Sequence, residues 1–156
     1  MYNTALRMVQ NPHDAEDILQ SIFIEVFSKL DTFRYESSIG AWIKRITVNK
    51  CINFLKSRRL ALTELTPYND RAEEQAPDPE PPYSVERINR AISDLPDGYR
   101  VVFSLYAVEG YDHEEIAQVL GITEATSKSQ YSRAKAKLRD MLTADGGRAT
   151  MESHRF

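Results

Sequence analysis

The spacing of apolar residues predicts helices through most of the chain. In DAEDILQSIFIEVFSKL (Asp14–Leu30), Ile18, Leu19, Ile22, Phe23, Val26, Phe27 and Leu30 share one face at 3.6-residue spacing, which predicts an amphipathic helix with that face in a core. Asn11-Pro12 ends the helix expected over Tyr2–Gln10. The opposite face of Asp14–Leu30 carries Asp17, Gln20, Ser21, Ile24 and Ser28. Ile24 is an apolar side chain on a polar face: a stray surface hydrophobe, or part of a docking face for a partner protein. After a turn-rich segment, Asp31–Gly40, a long helix is expected over Ala41–Leu60. Trp42, Arg45, Asn49, Asn53 and Lys56 fall on one side of it, and Ile43, Thr47, Cys51, Phe54 and Leu55 on the other.

The second half has the same period with stronger punctuation. Ser84 is placed to cap a helix running to about Asp94, and Pro96 suits the first turn of the next. Val102, Phe103, Leu105 and Tyr106 form its expected buried stripe, and Gly110 its stop. Asp112 stands three residues before Glu115, the spacing of a capping box. Ile116, Val119 and Leu120 point inward, Ala117 leaves room for a crossing helix, and Gly121 ends the turn in a left-handed conformation. Thr123 caps a last helix with Tyr131, Ala134 and Leu138 inside. Ala125, Ser129, Ser132, Arg133 and Ala136 lie outside, with Lys128 on the shoulder.

Composition alters this picture in one respect, the location of charge. The net charge of −3 argues against a uniformly basic surface. Residues 1–60 carry nine Lys/Arg against six Asp/Glu, residues 61–98 three against nine, and residues 99–156 eight against eight. The acidity therefore sits in the middle, with the prolines of QAPDPEPP (Gln75–Pro82), which cannot continue a helix. The expected fold is all-α: two small helical domains joined by a flexible linker, the second a four-helix domain with a helix-turn-helix. The boundaries fall at 1–61, an acidic proline-rich linker at 62–82, a second domain at 83–143 and a frayed tail at 144–156. Cys51 is the sole cysteine, so no internal disulfide forms; with no long apolar run and no signal-peptide core, a cytoplasmic protein without membrane insertion is expected.

No acidic residue occurs from Ser37 to Thr63 or from Ala125 to Arg139, while cations accumulate in both. Solvated helix faces would look the same. Two mid-helix asparagines flanked by cations and an aromatic, however, suit nucleic acid: amides bond base edges, cations neutralise phosphate, and rings stack on unpaired bases. Small and polar residues on the outer face of the last helix suit insertion in a major groove. Catalysis is not expected. His13, His113 and His154 stand in unrelated contexts, with no metal or nucleophile spacing to Cys51 or the acids, and there is no P-loop, so no cofactor or small-molecule substrate is implied.

With both halves read, the chain resembles a bacterial RNA polymerase sigma factor of the extracytoplasmic function (ECF) group, over about Tyr2–Leu142. AEDILQSIFIEVF (Ala15–Phe27) is similar to the helix that docks on the polymerase clamp. FRYESSIGAWIKRITVNKCINFLKSRR (Phe33–Arg59) is similar to the segment that melts the promoter and reads the minus-ten element. LPDGYRVVFSLYAVEGYDHEEIAQVLGITEATSKSQYSRAKAKLR (Leu95–Arg139) is similar to the minus-thirty-five-reading domain. The resemblance implies core RNA polymerase and promoter DNA as partners, and an anti-sigma factor of the kind that covers both domains in many relatives. It implies clamp contacts at Asp17, Gln20 and Ile24. For the minus-ten strand it implies Phe33, Arg34, Trp42, Arg45, Asn49, Asn53, Lys56, Arg58 and Arg59, with Asn49 and the loop Phe33–Gly40 capturing an unstacked base. Lys128, Ser129, Ser132 and Arg133 would read the minus-thirty-five duplex. The competing reading is a stand-alone helix-turn-helix regulator that binds an operator. Relatives usually begin with a further helical turn or more ahead of Tyr2–Met8, and usually carry Val where Ser127 stands. A buried hydroxyl at Ser127 needs a partner, expected from the turn of helix behind it.

Overall fold

A computed structural model describes the backbone of residues 1–64 and 84–152, and the side chains within 1–58 and 84–143. Described residues are helical with no strand, and they fall into two compact units divided between Asn69 and Asp70.

In the first unit, α1 (Tyr2–Val9) buries Ala5, Met8 and Val9 and stops at Gln10, which takes a left-handed conformation. Asn11 then caps α2 (Pro12–Lys29), its side chain accepting from the backbone N–H of His13 at 2.9 Å and Asp14 at 3.2 Å. Pro12, which has no N–H to satisfy, occupies the first turn, so α2 begins two residues earlier than expected. A 3-10 turn, Leu30–Thr32, follows. The hydroxyl of Ser38 accepts from Ala41 N–H at 3.2 Å and starts α3 (Ile39–Glu64), which is longer at both ends than Ala41–Leu60. Its last turn occupies residues 62–64, where the linker was expected to begin; the rest of that linker, from residue 65, lies outside the described residues.

The three helices pack pairwise around Ala15, Ile18, Ile22 and Val26 of α2 and Thr47, Val48, Cys51 and Ile52 of α3. Each helical residue turns by about 100°, so those four α2 positions fill one narrow sector. The stripe read from sequence is wider than α1 and α3 can cover. Phe23, Phe27 and Leu30, expected in the core, lie at its uncovered edge, and Phe27 is 72 % exposed.

In the second unit, Ser84 caps α4 (Val85–Ser93), accepting from Arg87 N–H at 3.2 Å. Pro96 sits at the cap of α5 (Asp97–Phe103) rather than inside its first turn. A π turn, Ser104–Val108, continues α5 and closes with Glu109 N–H donating to Ser104 C=O at 3.0 Å. Gly110, at φ +78°, ends it. Helices α6 (His113–Leu120) and α7 (Glu124–Glu152) complete the unit. Ala91, Ile92 and Leu95 meet Ala134 and Leu138 in a core flanked by Tyr99, Phe103, Met141 and Leu142. Arg87 ties α4 to α7 by donating to Leu142 C=O at 2.7 Å. Buried Arg100 donates to Leu95 C=O at 3.2 Å and pairs with Asp97 at 2.8 Å, which holds the α4–α5 corner.

Two expectations for this unit change. The stripe of α5 is Val101, Val102 and Leu105, with Phe103 half-buried and Tyr106 beside the stripe, 38 % exposed. On a helical wheel the three share one sector, and Tyr106 lies about 90° from its centre. The tail expected to fray from residue 144 continues as helical backbone through Gly146 and Gly147 to Glu152. Extending an existing helix needs no new nucleus, and each glycine costs about 1 kcal/mol.

Glu25 bridges α2 and α3, pairing with Lys50 at 2.9 Å and with Lys29 at 2.6 Å. The hydrogen bonds from Lys29 and then Lys50 hold its carboxyl below the ordinary glutamate range. A depressed folded-state value means stability present above the unfolded value, about 4.3, and lost as pH falls through the folded one. Glu25→Gln should therefore lower the thermal midpoint at pH 7 by at most a few degrees, since partly exposed pairs contribute about 1 kcal/mol or less. The difference should shrink as pH falls below the unfolded value and through the lowered folded one. Circular-dichroism melts of both proteins across that range check it; an undiminished gap in acid would exclude the ion pairs as its cause.

Candidate nucleic-acid interface

Every candidate of the first unit whose side chain is described lies at the surface or half-buried. On α2, Asp17, Gln20 and Ile24 are exposed, Ile24 by 72 %. They adjoin Phe23 and Phe27, which sequence reasoning assigned to the core, so the face is a mixed polar and apolar band rather than a polar one with a single stray isoleucine. No signal in the sequence separates Phe23 and Phe27 from buried neighbours such as Val26; burial there depends on how far α1 and α3 reach.

On α3, Trp42, Arg45, Asn49, Asn53 and Lys56 line one side over about 21 Å of helix axis, opposite the buried Thr47 and Cys51. Thr47 returns its hydroxyl to Ile43 C=O at 2.9 Å, so this buried polar group is satisfied within its own helix. At the N-terminal end of the exposed side, Phe33 packs on Trp42 with ring centroids 5.1 Å apart, and Tyr35 on Phe33 at 4.8 Å. Tyr35 is 86 % exposed and holds φ +58°, a left-handed conformation that is strained for a side chain of this size. An exposed, strained aromatic completing a ring cluster is a functional candidate that the sequence did not single out, because nothing local marks a tyrosine for positive φ. Arg34 is exposed in the same loop.

Arg58 does not join this side. It lies in line with Thr47 and Cys51, eleven and seven residues on, and pairs with Asp14 of α2 at 3.5 Å. Helical periodicity alone accounts for this, since position 58 is turned about 160° from position 42. The Arg59 side chain lies outside the described residues.

In the second unit, Asp112 accepts from Glu115 N–H at 2.8 Å and Glu115 accepts from Asp112 N–H at 2.9 Å, a complete capping box on α6. Gly121, at φ +68°, lets the chain reverse, and its N–H donates to Ala117 C=O. Thr123 then accepts from Thr126 N–H at 3.1 Å at the start of α7. The result is a helix-turn-helix. Ile116 of α6 and the inner α7 residues Ser127, Ala134 and Leu138 are buried, while Lys128, Ser129, Ser132 and Arg133 are exposed together on the outer side of α7. Lys128 pairs with Glu124 one turn back at 2.5 Å. Ser127 does have a partner, but not the one expected: its hydroxyl shares a hydrogen bond with His113 Nδ1 of α6 at 2.9 Å. Among the described residues no group of His, Cys, Asp and Glu is arranged to hold a metal, and no helix is long and apolar enough to cross a membrane.

Two helical units, one presenting aromatic, amide and cationic groups along a single helix side and the other a helix-turn-helix with an exposed polar face, define a chain built on the plan of a two-domain transcription factor. Residues 1–60 match the Sigma-70 region 2 family and residues 85–138 the Sigma-70 region 4 family. The ECF RNA polymerase sigma factor SigW of Bacillus subtilis is 30 % identical, over 91 % of this chain and 82 % of its own length. SigE of Mycolicibacterium smegmatis, also an ECF RNA polymerase sigma factor, is 33 % identical over 91 % of this chain. The chain spans 57 % of that relative's length. The sigma factor RpoE from Bartonella quintana, solved in complex with the anti-sigma factor NepR, has the same fold, with a TM-score of 0.63, 23 % identity and coverage of 92 % of this chain and 90 % of that one. This chain belongs to the ECF RNA polymerase sigma factors.

The capping box makes one expectation sharp. Asp112→Ala should destabilise the chain by about 1 kcal/mol, while Asp112→Asn, which keeps an acceptor, should cost a few tenths. Urea midpoints of the three proteins test this; equal losses in both variants would rule out the side-chain acceptor as the stabilising group.

Proposed function

We propose that this chain is a dissociable promoter-recognition subunit of RNA polymerase, active in the cytoplasm and without a catalytic centre of its own. Asp17, Gln20 and Ile24, with Phe23 and Phe27 beside them, would dock on the core enzyme. Phe33, Arg34, Tyr35, Trp42, Arg45, Asn49, Asn53, Lys56 and Arg59 would hold the opened minus-ten strand. Lys128, Ser129, Ser132 and Arg133 would read the minus-thirty-five duplex. An anti-sigma protein fits the same scheme as a partner that occludes the α2 band in the free chain.

The observation that carries this reading is the ring cluster Phe33–Trp42–Tyr35 at the head of a helix side bearing Arg45, Asn49, Asn53 and Lys56. Drawing one base out of a duplex costs a few kcal/mol. Stacking on an aromatic returns about 1–3 kcal/mol per base, and an amide can bond the exposed base edge. Cations along the helix then follow the strand's phosphates. A duplex-only repressor has no use for such a surface, because in duplex DNA the faces of the bases are covered by their neighbours. Arg58 contributes less than its place in the basic run suggests, since it is engaged with Asp14.

Run-off transcription with purified core polymerase and this chain tests the whole reading. Initiation should depend on the chain; tight duplex binding by the chain alone with no initiation from any template would favour the operator-binding alternative. Within the active complex, Asn49→Ala should lower permanganate reactivity of melted thymines by about tenfold, the loss of one base-edge contact. Duplex binding should stay within about twofold. Unchanged reactivity would remove Asn49 from base capture.

A further inference from the structure

We propose that His113 is a positioning residue for duplex reading. Through Nδ1 it fixes Ser127, and with it the rotation of α7 that turns Lys128, Ser129, Ser132 and Arg133 outward. The inference rests on α7 being the helix that enters the groove.

His113 is the first residue of α6, next to the capping aspartate, so its backbone is already set by the capping box. Its ring is held on three sides. One face stacks on Tyr106, centroids 4.4 Å apart and planes within 17° of parallel. Its edge meets Tyr131 at 5.8 Å, and Nδ1 reaches Ser127 Oγ at 2.9 Å. Ser127 and Tyr131 are one turn apart on α7, so a single imidazole touches two successive turns of the reading helix. Tyr131 is fixed in turn, tilted against Tyr106 at 4.5 Å, stacked with Phe103 at 5.8 Å and capped by the ammonium of Lys135 at 4.8 Å.

The π turn belongs to this arrangement. Tyr106, the third residue of that turn, carries the ring that stacks on His113. Single-turn π segments often occur at functional sites for this kind of reason. The bond matters because it is directional. An apolar residue at position 127 would be content with any nearby packing partner, whereas a hydrogen bond weakens steeply with angle and distance. Base-edge recognition has the same tolerance, and supporting groups must hold the reading side chains to within about 0.5 Å. Phosphate contacts are far more forgiving. Loss of the His113–Ser127 bond should therefore harm discrimination between sequences and leave general DNA affinity nearly untouched.

The test uses the full chain assembled with core polymerase and a library of short, fully randomised duplexes. The wild-type assembly is selected on the library, and its preferred duplex and a scrambled duplex of equal length become the probes. His113→Phe keeps a ring but loses Nδ1; His113→Asn keeps a hydrogen-bonding group near the Nδ1 position but loses the ring; Ser127→Ala removes the hydroxyl. The double variant, His113→Phe with Ser127→Ala, leaves neither polar group orphaned, so its thermal stability should return close to that of the wild type.

Preference for the selected over the scrambled duplex should fall about tenfold in His113→Phe, Ser127→Ala and the double variant. Affinity for the scrambled duplex and its salt dependence should hold within about twofold, and His113→Asn should recover part of the preference. If the preference returns with stability in the double variant, or survives in every variant, the bond is only structural and the proposal is overturned. If the wild-type assembly enriches no sequence, the groove-helix reading itself fails and takes this inference with it; that outcome is distinct because it appears before any variant is compared.

Discussion

A helix that offers one full side to a partner has to be held in place from the other, and under the proposed function the second unit is organised around that constraint on α7. Ser127, Tyr131, Ala134 and Leu138 recur at spacings of four, three and four, so they form one continuous inner line. Ser127 meets a hydrogen bond from α6, Tyr131 an aromatic cluster, and Ala134 and Leu138 an apolar core shared with α4. Gly98 lets α5 come close enough that even a methyl group there would stand 2.9 Å from the Gln130 side chain. Lys128, Ser129, Ser132 and Arg133 lie off that line and are exposed, so the core of the unit does not depend on them. Their chemistry can be set by recognition alone.

The first unit meets the same requirement with fewer elements, and it leaves a remainder. Helices α1 and α3 are enough to bury a four-residue sector of α2, and α3 in turn presents its free side with the asparagines and the tryptophan. They are not enough to cover Phe23, Phe27 and Leu30. Burying a side chain of that size is worth roughly 1.5–3 kcal/mol, so the uncovered band represents stabilisation that the isolated fold forgoes. Contiguous exposed apolar surface beside polar groups marks an interaction site. Under the proposed function the core enzyme supplies the missing cover, and the exposed band is the counterpart of a small core.

Features that depend on a few neighbouring residues were legible in the sequence. Ser84, the Asp112–Glu115 box, Gly121 and Thr123 each act within one turn, and all four adopt the roles their spacing implied. The exposed sides of α3 and α7 were legible for the same reason, because period alone sets them apart from the core. What the sequence hid depends on longer range. Whether Phe27 is buried depends on the reach of other helices. Arg58 belongs to the basic run in sequence, but its angular position sets it beside Asp14. The π turn has no marker in SLYAV, and the partner of Ser127 lies fourteen residues away on another helix rather than one turn behind. Tyr35 in its left-handed conformation is equally silent, since that geometry is ordinarily signalled by glycine or asparagine.

The ion pairs also bear on how an acidic chain can hold a polyanion. Several cations that look available in the sequence have intramolecular partners: Lys50 with Glu25, Arg58 with Asp14, Lys128 with Glu124. Simple counting of the basic runs therefore overstates the free positive charge. Yet these pairs sit at the surface, where each contributes about 0–1 kcal/mol and is weakened by salt. Under the proposed function, a phosphate approaching Lys128 would replace the carboxylate of Glu124 with little loss. Screening confines the effect of an exposed acid to roughly 8 Å at physiological salt. What governs DNA affinity in such a chain is the local sign of each helix side, and the net charge of −3 carries almost no information about it.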